Sequence, residues 1–168
     1  MSFLLKPLRL LAKALAALDS PEQLAAGLAL GFSVGLIPKT SLLAALGLTL
    51  LCALQVNLAA AYAAAALASA AALPADPLAH AVGNALLVKA AFLRPLWTAL
   101  YNLPVVPWTG FNNTVTLGWT VLGLLAAYPL YRALLGPCRT YAPALGSRLK
   151  RFKAVQLLLG AEVGAKLS

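Results

Sequence analysis

Two short apolar segments separated by Pro38-Lys39 limit what this chain can fold into. They cover about residues 21–37 and 41–54. As helices they measure roughly 21 to 25 Å at 1.5 Å per residue, against roughly 30 Å for the hydrocarbon core of a bilayer. Because neither segment crosses a bilayer comfortably alone, the pair predicts a re-entrant hairpin, which enters the membrane and returns to the same side.

The amount of apolar sequence around this pair predicts a membrane protein. Of the 168 residues, 62% are hydrophobic and 10% are charged, which is more apolar surface than a soluble domain of this length can bury. The formal net charge is +9, but the basic residues flank apolar segments and do not form a polar face. Anionic lipid is therefore the predicted partner, and nucleic acid is not.

Cap and proline signals predict where the helices begin and end. Ser20 suits an N-cap, Pro21 suits the first helical position, and Gln23 can complete a capping box. Pro38 ends the first helix because proline disfavours helical geometry in the residue before it. Asn57 marks a polar break after the second helix. The sequence therefore predicts two short helices before residue 57.

Two later segments, residues 58–73 with their flanks and residues 115–131, are long enough to cross a bilayer. Between them, Asp76 is interpreted as the cap and Pro77 as the first residue of another helix, which predicts a turn after residue 73. A pair of asparagines is interpreted as the cap of the last helix. The cap and break residues on which these boundaries depend are Ser20, Pro21, Pro38, Asn57, Asp76, Pro77, Asn112 and Asn113.

Residues 20–73 and 76–135 share an order of motifs. Each begins with a cap and a proline, has a glycine six residues after that proline, and then reaches a basic residue beside a proline. Each continues through a second short segment and an asparagine break to a segment that can span. As a duplication the halves would form an inverted repeat of broken helices, a plan known in membrane transport proteins. An alanine- and leucine-rich chain also produces such matches by chance.

Both ends of the chain predict amphipathic helices at the membrane surface. Residues 1–19 place leucines at helical spacing among basic residues, and the basic tail, residues 136–168, repeats the pattern between 148 and 159. Such helices bind the interface of an anionic leaflet, and basic residues favour the cytoplasmic side. The predicted organisation is an all-α membrane domain at 20–135 with both termini cytoplasmic. A solvated basic tail is the alternative at each end.

Three glycines and two cations are the candidate packing and binding residues. Gly27, Gly31 and Gly35 recur every four residues, which in lipid lets another helix approach closely. Lys39 and Arg94 fall at the predicted hairpin tips, where a cation is costly and is usually retained for an ion or ligand. An anionic lipid headgroup or a phosphate is a natural counter-ion. Alternatively, Lys39 lies in the outer headgroups and Arg94 extends its charge to the surface.

The sequence offers little for catalysis. His80 lies four residues after Asp76, so the two can pair on one helical turn, although a lone histidine near a helix start at the outer surface is more often solvated. No Cys/His cluster predicts a metal, no glycine-rich loop predicts a nucleotide, and no nucleophile has a base at motif spacing. We therefore predict a protein that is not an enzyme and has neither cofactor nor metal.

One combination of motifs resembles a known family. The motifs are Ser20-Pro21, Ala26-Gly27, Gly31, Gly35, Pro38, Asn57, TALYNLPVVPWTGFNNTV at 98–115 and YPLYR at 128–132. Over about residues 6–132 the chain resembles an uncharacterised bacterial inner-membrane family defined by a domain of unknown function, DUF2062. The resemblance implies a helical inner-membrane protein with no established activity. Some relatives are encoded beside a large envelope protein, which implies a complex.

Two functions are compatible with these features. The first is a polytopic inner-membrane protein that binds or translocates an anionic lipid or a related amphiphile, with Lys39 and Arg94 at the headgroup. The second is a noncatalytic anchor or scaffold subunit of a larger envelope complex for lipid transport. In the second, the glycine face and the aromatic residues between 92 and 111 are the docking surfaces for another envelope protein or a second copy of the chain.

Overall fold

The computed structural model of the chain describes residues 20–149, with side chains described through residue 141. Within these residues the regular structure is helical, without β-strands. The α-helices are α1 (Pro21–Leu36), α2 (Leu42–Ala53), α3 (Leu58–Asn84), α4 (Arg94–Tyr101) and α5 (Thr114–Leu149). A π-helical turn, Ala85–Lys89, and two 3-10 segments, Ala91–Leu93 and Val106–Thr109, lie between α3 and α5. The amphipathic helix predicted at 1–19 and the tail beyond 149 lie outside the described residues.

Polar side chains start the principal helices. Ser20 and Gln23 form both bonds of a capping box at α1, and the Ser41 hydroxyl accepts a hydrogen bond from a backbone N–H of α2. Asn57 caps α3 in the same way, and the Asn113 side chain accepts bonds from two backbone N–H groups at the start of α5. Because each cap satisfies a donor that the first helical turn leaves unpaired, these starts are fixed locally.

The turn predicted at Asp76-Pro77 is wrong, because α3 continues through it to Asn84 with Pro74 and Pro77 inside the helix. Both proline rings are exposed, whereas Ala72 and Ala79 are buried against the neighbouring helices. Packing along the buried face therefore holds the helix together where the local signal alone would end it. Asp76 is inside the helix and does not cap one.

The last helix also continues past the boundary predicted at residue 135. α5 contains 36 residues and runs to Leu149. The first part of the predicted basic tail, residues 136–149, is thus a continuation of the same helix.

α1, α3 and α5 form the centre of the molecule, and each contacts the other two. Gly27 of α1 meets Asn57, the cap of α3, and Gly31 and Gly35 meet residues 61 and 65 of α3, so α1 and α3 are parallel. Gly83 and Ala79 of α3 meet residues 114 and 118 of α5, so that pair is antiparallel. The corresponding helices of the two predicted halves thus pack in different directions, and the inverted repeat stays a hypothesis.

Two helices are long and apolar enough, by length and composition, to cross a membrane. They cover Leu58–Lys89, which is α3 with the π-helical turn, and Thr114–Tyr141 of α5. α1 and α2 contain 16 and 12 residues, hence about 24 and 18 Å. The connection between them lies beside residues 69–76, near the middle of the first span. The α1–α2 hairpin therefore ends partway along α3.

Candidate functional site

The three glycines of α1 lie where its backbone touches that of α3. A Cβ atom at Gly27 would lie 2.5 Å from the Asn57 carbonyl oxygen, and one at Gly35 would lie 2.5 Å from the carbonyl oxygen of Ala65. At Gly31 the collision, with the Ala61 carbonyl, would be closer still. A methyl group fits at none of these positions unless a backbone moves, so the glycines set the distance between α1 and α3.

Lys39 caps the C-terminal end of α1. Its ammonium donates hydrogen bonds to the carbonyl oxygens of Gly35 (2.8 Å) and Ile37 (2.7 Å), with a longer contact of 3.4 Å to that of Val34. The last carbonyls of a helix lack intrahelical donors, and a cation near them interacts favourably with the helix dipole. Lys39 thus satisfies the end of α1, and because the carbonyls carry no net charge, these hydrogen bonds give the ammonium no anionic partner.

A cleft of about 250 Å³ lies between the end of α1 and α3, with Lys39 on one wall. We call it the Lys39 cleft. Its lining residues are Gly35, Leu36, Ile37, Pro38, Lys39, Ser69, Ala72, Leu73 and Asp76. Three of these side chains are polar, namely an ammonium, a hydroxyl and a carboxylate, and the others are apolar. A few polar groups in an apolar concavity are the usual composition of a ligand site.

Ser69 joins α3 to the end of α1. Its hydroxyl lies 3.0 Å from the Gly35 carbonyl oxygen and 2.6 Å from that of Ala65, and it donates to these acceptors. The Gly35 carbonyl therefore has both Ser69 and Lys39 as donors. The absence of a side chain at Gly35 allows this approach, so the glycine face and the Lys39 cleft belong to one arrangement.

Asp76 and His80 do not pair with each other. The indole Nε1 of Trp119 donates a hydrogen bond of 2.8 Å to Oδ1 of Asp76, while Nδ1 of His80 lies 2.7 Å from the Thr114 hydroxyl. Both interactions join α3 to α5. The carboxylate is thus fixed beside the Lys39 cleft by a neighbouring helix, a position that the interpretation of Asp76 as a helix cap did not predict.

Lys39 and Asp76 line the same cleft without forming an ion pair. Among the residues whose side chains are described, Asp76 has no Lys or Arg nitrogen within 4.0 Å, and the ion pair that is present joins Glu22 to Arg139. The cleft therefore presents a positive and a negative group that are separated from each other.

A second, more open cavity of about 540 Å³ lies on the other side of Lys39, at the start of α2. Its lining residues are Lys39, Thr40, Ser41, Leu42, Ala45 and Trp108. The Trp108 side chain is 76% exposed, so this cavity faces the surroundings. Lys39 thus stands between the Lys39 cleft and an open surface.

The structure does not bring Arg94 to Lys39. Arg94 is the first residue of α4, is exposed, and lines neither of the two cavities around Lys39. The two cations that the sequence placed at equivalent hairpin tips therefore have different surroundings. Of these two cations, Lys39 is the one that lines the cleft between α1 and α3.

Aromatic residues order the segment between α3 and α5. The ring of Phe111 packs against those of Trp97 and Tyr101, with centroids 5.8 and 6.3 Å apart, and the Trp97 indole donates to the Leu86 carbonyl. Phe92, in contrast, is 81% exposed. This segment therefore has a packed aromatic centre and an apolar outer surface.

The N-terminal end of α1 is tied to α5 at the opposite end of the molecule. Arg139 donates from Nε and Nη2 to Oε1 of Glu22, at 3.1 and 3.0 Å. The hydrogen bond from its own backbone N–H, and then those from Arg139, lower the pKa of the Glu22 carboxyl below its ordinary value. Both side chains are largely exposed, which limits the strength of the pair.

Within the described part of the chain, no three His, Cys, Asp or Glu side chains are grouped as metal ligands. Comparison with protein-family models, with characterised proteins and with solved structures gives no match to this chain.

Proposed function

We propose that this chain is a small polytopic membrane protein that binds or translocates an anionic lipid, or a related amphiphile, with the lipid phosphate at the Lys39 cleft. The observation that supports this most is the Lys39 ammonium. Its hydrogen bonds go to neutral carbonyls, and it lines a cleft whose other walls are mostly apolar. A cation in such surroundings attracts an anion, and the headgroup of a lipid supplies one together with apolar chains.

The exposure of the long helices supports the membrane location. In the most apolar 18-residue stretch of Leu58–Lys89 only 28% is buried, and in that of Thr114–Tyr141 only 11% is buried. The core helix of a soluble protein is mostly buried, whereas Leu67 and Leu124 are each 73% exposed. Contact with lipid chains accounts for apolar side chains that no other helix covers.

The position of basic residues supports a cytoplasmic location for both termini. The Glu22–Arg139 contact brings the beginning of α1 and the later part of α5 to the same end of the molecule. Arg132 lies on α5 near this end, and basic residues favour the cytoplasmic side. The bacterial inner membrane, membership of the DUF2062 family and the absence of enzymatic activity are parts of the same proposal.

The lengths of the helices support a re-entrant α1–α2 hairpin. With about 24 Å in α1 and 18 Å in α2, the hairpin is shorter than a hydrocarbon core of roughly 30 Å. Its connection lies beside the middle of the Leu58–Lys89 span. Irregular backbone at membrane depth needs cover from protein or contact with water, and Lys39 and Ser69 satisfy the carbonyls at that point.

The binding proposal is tested with Lys39→Gln. Glutamine removes the charge and keeps N–H donors for the end of α1. We therefore expect a folded protein that binds a phospholipid with a glycerol headgroup more weakly. Lys89→Gln, at an exposed lysine of the π-helical turn, is the matched control and should bind as the wild type does. Affinity is measured on detergent-solubilised full chain by native mass spectrometry. Equal affinities of Lys39→Gln and the wild type would contradict the proposal.

The hairpin is tested by labelling. Lys39→Cys is introduced after Cys52 and Cys138 have been replaced by serine, and cells are treated with membrane-impermeant thiol reagents from either side. A re-entrant tip within the bilayer predicts slow labelling from both sides. Rapid labelling from the outside would place Lys39 in the outer headgroups and remove the midplane site.

A second candidate function is a noncatalytic anchor or scaffold subunit of an envelope lipid-transport complex. The observation that favours it is the exposed apolar surface of the segment that connects α3 to α5 in the chain. In this segment the side chains of Phe92 and Trp108 are 81% and 76% exposed. Aromatic residues are enriched both at membrane interfaces and in protein interfaces. Another envelope protein or a second copy of the chain is the proposed partner.

The two functions predict different sensitive residues. In native membranes, Phe92→Ser with Trp108→Ser should abolish cross-linking to a partner chain if the protein is a subunit, while lipid binding is unchanged. Lipid movement in reconstituted vesicles that is unaffected by Lys39→Gln would favour the subunit function over lipid translocation.

A further inference from the structure

The Lys39 cleft contains an acid as well as a cation. Asp76 lines the cleft together with Lys39 and Leu73, and no ion pair joins the two charged groups. One oxygen of the carboxylate accepts the Trp119 indole N–H, which fixes the side chain from the α5 side. The second oxygen has remaining capacity to accept hydrogen bonds.

An anionic headgroup matches only the Lys39 side of this arrangement, whereas a related zwitterionic amphiphile can match both sides. A phosphate bound at Lys39 without another charge would also face the Asp76 carboxylate in a cleft with apolar walls, where like charges repel strongly. A ligand with a phosphate and an ammonium group matches both charges. A primary ammonium also provides N–H donors for the carboxylate, and such charge-assisted hydrogen bonds are about twice as strong as neutral ones.

Pro77 leaves a backbone acceptor of α3 without its regular donor. Proline has no backbone N–H, so it cannot give the Leu73 carbonyl its usual helical hydrogen bond. Leu73 itself lines the cleft. A backbone acceptor without its regular donor therefore lies one turn from the Asp76 carboxylate, on the same helix.

On the basis of the proposed function, we propose that the Lys39 cleft selects a zwitterionic phospholipid in which the phosphate is linked to a primary ammonium, as in an ethanolamine headgroup. Lys39 attracts the phosphate by its charge and exchanges its long 3.4 Å contact with the Val34 carbonyl for a phosphate oxygen, and Asp76 accepts from the ammonium. The apolar side chains of Leu36, Ile37 and Leu73 lie against the part of the lipid next to the headgroup. Asp76 is thus the specificity residue, and Lys39 is the residue that any phosphate headgroup requires.

The test compares three phospholipids with identical acyl chains and ethanolamine, choline or glycerol headgroups, titrated into detergent-solubilised full chain and measured by native mass spectrometry. Choline keeps the positive charge but has no N–H to donate, and glycerol has no charge at that position. We expect wild-type protein to bind the ethanolamine lipid at least about tenfold more tightly than either of the others.

Three variants separate this inference from the proposed function. Asp76→Asn keeps an oxygen acceptor for Trp119 and should lose the ethanolamine preference, with a smaller loss for the choline lipid, which loses only the charge attraction. Asp76→Glu, which keeps the charge, should retain part of the preference, and it reports on selectivity if the asparagine variant unfolds. Glu22→Gln removes an acid at the opposite end of the molecule and should behave as the wild type does.

The outcomes are distinguishable. If the wild type shows no preference, or if Asp76→Asn retains it, the zwitterionic selectivity is overturned, while loss of all three lipids in Lys39→Gln would still support the proposed function. If Lys39→Gln binds all three lipids as the wild type does, the proposed function itself fails. If soluble phosphoethanolamine binds as tightly as the ethanolamine lipid, the ligand is a free phosphate ester and the lipid assignment is overturned.

Discussion

The residues that determine the shape of this protein are small ones. Gly27, Gly31 and Gly35 place the backbone of α1 against α3, and Gly83 and Gly118 do the same between α3 and α5. Much of the buried surface consists of alanine, including Ala29, Ala61 and Ala68, each with 0% exposure. Close backbone contact replaces the burial of large side chains as the means of helix association, as is common between helices in lipid.

Gly31→Ala should destabilise the protein, and Gly136→Ala should not. A Cβ at Gly31 would collide with the Ala61 backbone, whereas one at Gly136 on α5 would meet nothing within 4 Å. We expect a loss of about 1 to 3 kcal/mol for Gly31→Ala from overpacking. The control should gain up to about 1 kcal/mol, because alanine has the higher helix propensity.

Unfolding in detergent, followed by size-exclusion chromatography after heating, measures both variants. A Gly31→Ala protein as stable as the wild type would mean that α1 and α3 separate easily, and the Lys39 cleft would then lack a rigid wall.

Residue spacing predicted these contacts only in part. The four-residue interval of the glycines in α1 indicated a packing face, because a helix presents such positions on one side. It did not indicate that the partner would be α3, since spacing contains no information on which helix approaches. The role of Asp76 could not be predicted for a related reason, because Trp119, which holds its carboxylate, lies 43 residues away in the sequence.

Helix boundaries were predictable where the signal was local. Ser20, Ser41 and Asn57 cap the helices that follow them, because each cap bonds a backbone N–H within three residues. Pro77 shows the opposite case, since the helix continues through it. Its local signal was overridden by the packing of Ala72 and Ala79 against neighbouring helices. The sequence around Pro77 does not indicate that these helices are there.

Lys39→Ala should shorten or loosen the end of α1. The lysine donates to carbonyls that the helix itself leaves unpaired, so we expect a loss of about 1 kcal/mol in the free energy of unfolding. Lys39→Gln should lose less, because it retains N–H donors, and Lys89→Ala is the control at an exposed position. Equal stability of Lys39→Ala and Lys89→Ala would show that the capping bonds contribute nothing measurable.

At the scale of the whole molecule, the described chain begins and ends at one end of the helix bundle. α1 and α3 run in parallel from that end, α5 returns to it, and the α1–α2 connection stops beside the middle of α3. The Lys39 cleft consequently lies near the middle of the longest apolar span, away from the end at which Glu22 contacts Arg139. The sequence indicated two short and two long apolar segments, but it could not give their relative directions, because those depend on contacts between helices.

The Glu22–Arg139 pair, which joins the start of α1 to α5, should make the stability of the protein depend on pH. The pKa of Glu22 is lowered in the folded protein from its ordinary 4.5, so its charged form is favoured by folding. The contribution is therefore complete above about pH 4.5 and is lost as the pH falls through the lower pKa of the folded state.

Glu22→Gln cannot lose a charge in this range. The melting temperature of the wild type should thus exceed that of Glu22→Gln at pH 7 by a small amount, and the difference should disappear on acidification. Arg139→Gln should remove part of the same difference, because it takes away the partner side chain but leaves the backbone hydrogen bond that lowers the pKa of Glu22 most. A gap between the wild type and Glu22→Gln that persisted unchanged to pH 3 would mean that the carboxylate charge does not stabilise the contact between α1 and α5.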